Sequence, residues 1–321
     1  MNLTTSGASI LSISLPTPFP VGDVNVYLYK GDALTLIDAG PKTEEAFQSL
    51  KRQLNRYGYR VEDIEQVFLT HHHPDHVGLL DYFDDIQITG HPYNQPWISN
   101  DQAFKEKNTA FLRGLFLELG IHSSYTPSLS ELDKTLLYSC SRNLTHAVRE
   151  GDEVPGMKEF KILETPGHAQ SHLALYNEKD GQLLGGDVLL AKISANPLIE
   201  MPMEGTVRPK PQLQFNDTFK KLLKFPITAV FSGHGDLIED AHALMKYRMK
   251  NQEERAEGVY KMLAARPMTA FEVCQQLFSS IYRKQLMLTM SETVAQLDFL
   301  EDSGKIDYNI SEDAKVFSAI V

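Results

Sequence analysis

Short apolar blocks at residues 10–15, 26–29, 34–37 and 67–69, each closed by glycine, proline or a polar turn, read as β-strands. Between the last two, Thr43 is placed to cap a helix. Glu44 and Glu45 sit at the positive end of its dipole, Phe47, Leu50, Leu54 and Tyr57 recur at helical spacing, and Gly58 ends it. Such a helix covers one face of a sheet. From residue 93 to about 150 the spacing turns helical, with Phe104, Phe111 and Leu115 in one pattern, followed by a Ser/Thr/Leu-rich stretch without clear strands. This region reads as a helical insertion. Strand patterns resume at 160–163, 172–176 and 182–184, then a helix at 215–223 precedes a strand at 227–231.

Beyond about residue 240 the pattern is helical and then closes in a hairpin. Thr269 and Glu272 form a capping box, Gly304 ends a helix running from about Ser291, and apolar runs at 306–310 and 316–320 flank a polar turn. The expected organisation is a sheet-and-helix domain over 1–240 and a small winged-helix-like domain over 241–321.

Composition narrows the function classes. A chain of 321 residues supports a large core, and no apolar run reaches the ~18 residues that cross a bilayer. With 31 Lys+Arg against 42 Asp+Glu the net charge is −11, which disfavours a general polyanion binder. Cys140 and Cys274 are the two cysteines, and the first residues show neither a charged segment nor a long apolar one. A reducing, cytoplasmic setting with two ordinary thiols is therefore expected, without a membrane partner.

The densest chemical signal is Thr70-His71-His72-His73-Pro74-Asp75-His76-Val77-Gly78, directly after the strand at 67–69. Residues two apart leave a strand on the same side, so His71 and His73 can grip one ion while Asp75 and His76, past the turn at Pro74, face a second. Imidazole nitrogen with carboxylate oxygen suits zinc first, and also iron or manganese. His72 alternates to the other side and is expected outside the ligand set. Three further segments place a glycine-flanked ligand type just past a strand: Thr165-Pro166-Gly167-His168, Gly185-Gly186-Asp187 and Ser232-Gly233-His234-Gly235. Glycine permits the close backbone approach that a crowded two-ion site requires.

These motifs, in this order, resemble the metallo-β-lactamase superfamily over roughly residues 8–240. The resemblance implies an α+β fold, an αββα sandwich with its metals at one edge between two sheets, here with the helical insertion and the winged-helix-like domain added. It further implies that His71, His73 and His168 bind one ion, that Asp75, His76 and His234 bind the other, and that Asp187 bridges them. Asp38, in Leu36-Ile37-Asp38-Ala39-Gly40, matches the superfamily's first motif and is implied to orient the histidine loop. Two divalent ions in such a set activate a bridging hydroxide for hydrolysis, with Asp75 as the catalytic carboxylate.

The substrate expected is a small organic ester, thioester or lactone, the closest branch being the glyoxalase II type or a lactonase. A small endoribonuclease of the same superfamily is the alternative, since some members also end in a winged-helix-like domain. Against it, residues 265–321 hold five Lys+Arg and eight Asp+Glu, and the presumed recognition helix carries Glu292, Asp298, Glu301 and Asp302 with no basic residue. Nucleic acid is thus not the expected partner, and the C-terminal domain reads as packing or homodimer surface. His91 and His172 read as structural. Trp97, Phe104, Phe111 and Tyr125 in the insertion are candidates to wall the cleft, and Asn196-Pro197 and Arg208 to shape its mouth.

Overall fold

The structure, a computed structural model, describes residues 3–5, 8–122, 124–125 and 134–320. Seven strands form one sheet in chain order: β1 (Leu3–Thr5), β2 (Ala8–Leu15), β3 (Val24–Lys30), β4 (Leu34–Ile37), β5 (Gln66–Phe68), β6 (Gln87–Gly90) and β7 (His146–Ala147). Pairing is antiparallel from β1 to β4 and parallel from β4 to β7. A second sheet holds β8 (Phe160–Glu164), β9 (Leu173–Asn177), β10 (Gln182–Gly186) and β11 (Ala229–Ser232), in the order β11-β10-β9-β8 with β10 and β11 parallel.

Both faces of the first sheet are apolar, which requires a covering layer on each. Val24, Val26, Leu28, Leu36 and Val67 point outward, where α1 (Glu44–Arg56) lays Ala46, Leu50 and Leu54 on them. Tyr27, Tyr29, Ile37 and Phe68 point inward and meet Phe160, Ile162, Leu173, Leu175, Leu184 and Phe231 of the second sheet. The second sheet's outer face is closed by Phe215, Phe219 and Leu222 of a later helix. This is the four-layer αββα sandwich expected from the motifs.

α1 begins where Thr43 accepts the amide of Ala46, as its sequence predicts. Four short-to-medium helices follow or flank the sheets: α2 (Pro74–Val77), α3 (Gln95–Ile98), α4 (Gln102–Glu118) and α5 (Pro211–Leu222). The remaining chain gives α6 (Ala241–Ala265), β12 (Met268–Thr269), α7 (Ala270–Leu277), α8 (Leu286–Asp302), β13 (Ile306–Ser311) and β14 (Ala314–Ala319), with a small sheet ordered β12-β14-β13. The Thr269–Glu272 capping box is formed at the start of α7. α8 starts a turn and more before Ser291, because Leu286 and Met290 already pack in the core.

The insertion departs from expectation in two ways. Residues 93–150 contain a strand after all, since β7 pairs with β6 through Thr89 and Gly90 and ends the first sheet. The Ser/Thr/Leu-rich stretch at 126–133 lies outside the described residues. More consequential is where α4 packs: Leu112, Leu115, Phe116 and Leu119 share one core with Phe271, Met290, Leu297 and Phe317. The carbonyl of Leu119 even accepts the amide of Phe271. The insertion and the C-terminal segment are therefore two halves of one apolar cluster.

α8 is enclosed on nearly all sides. Three of its four acidic residues, which the sequence suggested as a surface, are paired: Glu292 with Arg255 of α6, Asp298 with Arg208, and Glu301 with Lys210. Arg208, expected at a cleft mouth, is committed to Asp298. Its Nη1 donates to Asp298 Oδ2 at 2.9 Å, and the Asp298 side chain is only 5% exposed. Burial pushes the Asp298 carboxyl above its ordinary pKa, and Arg208 opposes that rise. Arg208→Ala should consequently destabilise the chain by about 3–5 kcal/mol, because it strands a buried carboxylate. Urea unfolding measures this, and Arg208→Met with Asp298→Leu should recover much of the loss; equal stability of the single variant and the parent would show the pair to be idle.

Candidate metal centre

The parallel strands and the second sheet end at the same edge, and the candidate ligands lie just past those ends. β5 runs into His71, β8 into His168, β10 into Asp187 and β11 into His234. Pro74 opens α2, whose single turn presents Asp75 and His76.

Four imidazoles are fixed by one nitrogen and left free at the other. His71 Nδ1 lies 2.9 Å from Thr70 Oγ1, and His76 Nδ1 lies 2.8 Å from Asp38 Oδ2. His168 Nδ1 donates to the carbonyl of Asn196 at 2.9 Å, and His234 Nδ1 to that of Asp23 at 2.8 Å. The opposite atom, Nε2, is buried without a hydrogen-bond partner in all four, as is Asp187 Oδ1. An unsatisfied buried polar atom costs roughly 1–3 kcal/mol, so five facing one another call for something that accepts lone pairs. Anchoring one ring nitrogen while the other faces inward is the usual arrangement for a metal-binding histidine.

The donor atoms group as the motifs imply. His71, His73 and His168 bring ligand atoms within 4.8 Å of one another, and so do Asp75, His76 and His234. Asp187 lies between the groups, with Oδ2 3.4 Å from His168 Nε2 and Oδ1 3.6 Å from His76 Nε2. Burial holds His71, His73 and His168 below the ordinary imidazole pKa, so they are neutral and can donate electron pairs. Burial would raise the carboxyls of Asp75 and Asp187, but the facing imidazoles of His76 and His234 outweigh it and keep both low. Neutral His71, His73 and His168 beside ionised carboxylates suit a divalent cation as they stand, whereas His76 and His234, raised in pKa by the facing carboxylates, would release a proton to one. The residues present therefore fit the ions that the motifs suggest.

Asp38 sits behind this set at φ 60°, a conformation rare outside glycine. Its Oδ1 accepts the amide of Thr70 at 2.8 Å, while Oδ2 takes the Thr70 hydroxyl and His76 Nδ1, also at 2.8 Å. Gly233 is required for space, since a Cβ there would stand 2.1 Å from Asp187 Oδ1 and 2.9 Å from His76 Cε1.

Some residues are placed differently from what spacing suggested, or were not legible in it. His72, expected outside the ligand set, is buried and brings a ligand atom within 4.8 Å of ones on His73 and Glu200, while its ring stacks on Trp97 at 4.5 Å and its Nδ1 meets Ser171 Oγ at 2.9 Å. His172 acts beyond packing, because its Nε2 accepts the backbone amide of Asp187 at 3.1 Å and so fixes the central carboxylate. Burial lowers its pKa to about 3, consistent with that accepting role. Glu200 has no motif around it, yet lies buried 3.9 Å from His72 Nε2, its carboxyl pushed up to about 8 by burial. Asn196 matters through its backbone carbonyl, which no side-chain pattern reveals. His91 stays outside, beside Arg149 and Glu164.

Asp38→Ala should weaken metal affinity about 10–100-fold by freeing His76 and the Thr70 turn. His71→Ala, Asp187→Ala and Gly233→Ala should each lose bound metal, and His72→Ala should retain it. Elemental analysis of the purified variants reads all five, and loss of metal in His72→Ala equal to that in His71→Ala would overturn the division of the loop into facing and averted histidines.

Comparisons with known proteins agree with this geometry. Residues 19–234 match the model of the metallo-beta-lactamase superfamily. The chain is 48% identical to the probable metallo-hydrolase YqjP of Bacillus subtilis over 91% of its own length and 92% of that protein's. It is 29% identical to a hydroxyacylglutathione hydrolase of Bdellovibrio bacteriovorus over 36% of this chain and 53% of that one. Among solved structures, a metallo-beta-lactamase family protein of Thermus thermophilus superposes with a TM-score of 0.80 at 26% identity, covering 97% of this chain and 98% of the other. With the motifs, the sandwich and the ligand geometry in place, the chain belongs to the metallo-beta-lactamase superfamily.

Proposed function

We propose that this protein is a dinuclear metal-dependent hydrolase acting on an ester, thioester or lactone of a small organic substrate. The observation that carries the reading is the convergence of four buried Nε2 atoms and Asp187 Oδ1, all without hydrogen-bond partners, at the shared edge of two sheets. His71, His73 and His168 would hold one ion, Asp75, His76 and His234 the other, with Asp187 between them. Zinc suits this donor set best, and iron or manganese use the same atoms. Bound divalent ions supply a water acidified towards neutral pKa and a Lewis-acid contact for the oxygen under attack.

The chain's own groups do the rest. Asp75, ionised and 3.2 Å from His234 Nε2 through Oδ2, can take a proton from the attacking water at that oxygen. His172 and Asp38 keep Asp187 and His76 aimed while charge moves. Trp97, stacked on His72 and edge-on to Phe104, puts an apolar wall beside the histidine loop and limits water there. The wall belongs to the insertion, and the insertion is packed on the C-terminal segment, so both are proposed to shape substrate choice.

The nuclease alternative is disfavoured by one structural fact. α8, the segment a winged helix would offer to a groove, buries most of its residues and commits Glu292, Asp298 and Glu301 to intramolecular pairs. The relatives called hydroxyacylglutathione hydrolase support a thioester, while their match covers too little of this chain to carry glutathione with it. No helix among the described residues is long and apolar enough to cross a membrane, and a cytoplasmic hydrolase, free or as a homodimer, fits the reading.

The metal-loaded protein should contain about two equivalents of metal per chain and hydrolyse a nitrophenyl ester, an acyl thioester or a lactone, with the activity removed by chelation and restored by zinc or manganese. Cleavage of single-stranded RNA by the same preparation, with all three small substrates left intact, would replace this function with the nuclease.

A further inference from the structure

Three of the four anchored rings lean on the sandwich itself: His71 on Thr70, His76 on Asp38 and His234 on the carbonyl of Asp23. His168 leans instead on the carbonyl of Asn196, within residues 187–210, a stretch between β10 and α5 that forms neither helix nor strand. Connections of that length without structure of their own are uncommon and usually functional. A backbone carbonyl stands wherever its chain is held. Pro197 disfavours the helical region at Asn196, and the rest of the restraint comes from outside the stretch.

That restraint is α8. Asn196 Nδ2 donates to the carbonyl of Leu288 at 3.0 Å, and the amide of Ile199 donates to Ser291 Oγ at 3.2 Å. Ser291 is buried, so water does not compete for its bond. Further along the stretch, Arg208 pairs with Asp298 and Lys210 with Glu301. From Leu288 to Glu301 these ties span about 20 Å of the helix, with Ser291, Asp298 and Glu301 on one side of it. Glu200 turns the other way and accepts the amide of Gln170 through both carboxylate oxygens, at 3.2 and 3.3 Å. The stretch 196–200 therefore holds the His168 ring and the residue two past it, and is itself held by a helix that lies outside the family's matched region, 19–234.

We propose that α8 splints the stretch 196–200 and thereby sets the position of His168, so that Asn196 and Ser291 are positioning residues for the ion of His71, His73 and His168 and not for that of Asp75, His76 and His234. The inference rests on the ligand assignment under the proposed function. An imidazole binds metal well only when its ring is aimed, and loosening what holds it from behind weakens the metal about 10–100-fold. Here the anchor can be loosened without being removed. Asn196 Oδ1 is buried with no hydrogen-bond partner, so truncation to Ala takes away the Nδ2 bond to Leu288 and leaves the carbonyl that His168 uses. By linkage, an ion on His168 strengthens the docking of the stretch on α8 by the same factor that the docking strengthens the ion.

Cobalt(II) titrations of the full chain, followed by visible absorption, test this, and the binding step missing in His168→Ala identifies the ion at issue. Asn196→Ala and Ser291→Ala should each weaken that step about tenfold and leave the other unchanged. Lys210→Met breaks a tie between the same stretch and α8 at its other end, and should change neither step. The amide of Ile199 should exchange more slowly in the cobalt-loaded parent than in the metal-free one, and Asn196→Ala should shrink that difference. Affinities that Asn196→Ala and Ser291→Ala leave as in the parent would overturn the proposal. So would a loss as large in Lys210→Met, or an equal fall at both steps that tracks the urea midpoint. A parent with a single step would refute the dinuclear reading alone: where His168→Ala removes that step, the tenfold loss in Asn196→Ala is still required, and where it does not, the proposal falls as well.

Discussion

Four imidazole Nε2 atoms and a carboxylate oxygen are held buried at one sheet edge with nothing in the chain to bond them. Such an arrangement is unfavourable by itself, since each atom has given up water without a replacement. It persists because every one of the four rings is fixed from behind, by Thr70, Asp38, Asn196 and Asp23, and because the central carboxylate is fixed by His172. Those anchors come from separate strand ends, so the site exists only when both sheets are packed face to face. The inter-sheet core of Tyr27, Phe68, Phe160 and Phe231 is what brings them to one place. Fold stability and site geometry are thus the same quantity viewed from two distances.

The anchors also explain why the site divides its charge as it does. Neutral His71, His73 and His168 lie towards one side, while His76 and His234, drawn upward in pKa by Asp187 and by Asp38 or Asp75, lie towards the other. For His76 and His234 burial works against this rise and the carboxylates overcome it. The carboxylate-rich side offers a cation oxygen as well as nitrogen once its two imidazoles give up a proton, and the other side offers nitrogen lone pairs as it stands. Both sides draw on candidate ligands that a single stretch of six residues, 71–76, supplies in large part.

Much of this is readable in the sequence alone. The strands bearing alternate or continuous apolar residues, the Thr43 cap and the Thr269 capping box rest on local chemistry that acts within a few residues, while the seven candidate ligand positions rest on the order of the motifs and their resemblance to the family. β6 and β7 were not readable, because Gln87–Gly90 holds one large apolar side chain and His146–Ala147 is two residues long; their pairing is set by neighbours distant in sequence. The same reason hid His172, Glu200 and Asn196. A histidine that accepts a backbone amide, a carboxylate that faces an averted ring and a carbonyl that receives an imidazole N–H leave no periodic trace. Arg208 and Asp298 each looked superficial because partnership across a fold cannot be inferred from either alone.

The shared core of α4 and the C-terminal segment bears on how the chain is made. Synthesis proceeds from the N-terminus, and the sandwich strands are all out of the ribosome before α7, α8 and the closing hairpin appear. Until then Leu112, Leu115, Phe116 and Leu119 lack the part of their cluster that α7, α8 and the hairpin supply, and an apolar helix face is left partly uncovered. A nascent chain in that state is a natural client for a chaperone, because exposed apolar surface during elongation is where association between chains begins. The C-terminal helices and hairpin therefore close that aggregation-prone interval, although they lie outside the family's matched region, and among the described residues they belong to none of the groups that could hold a metal.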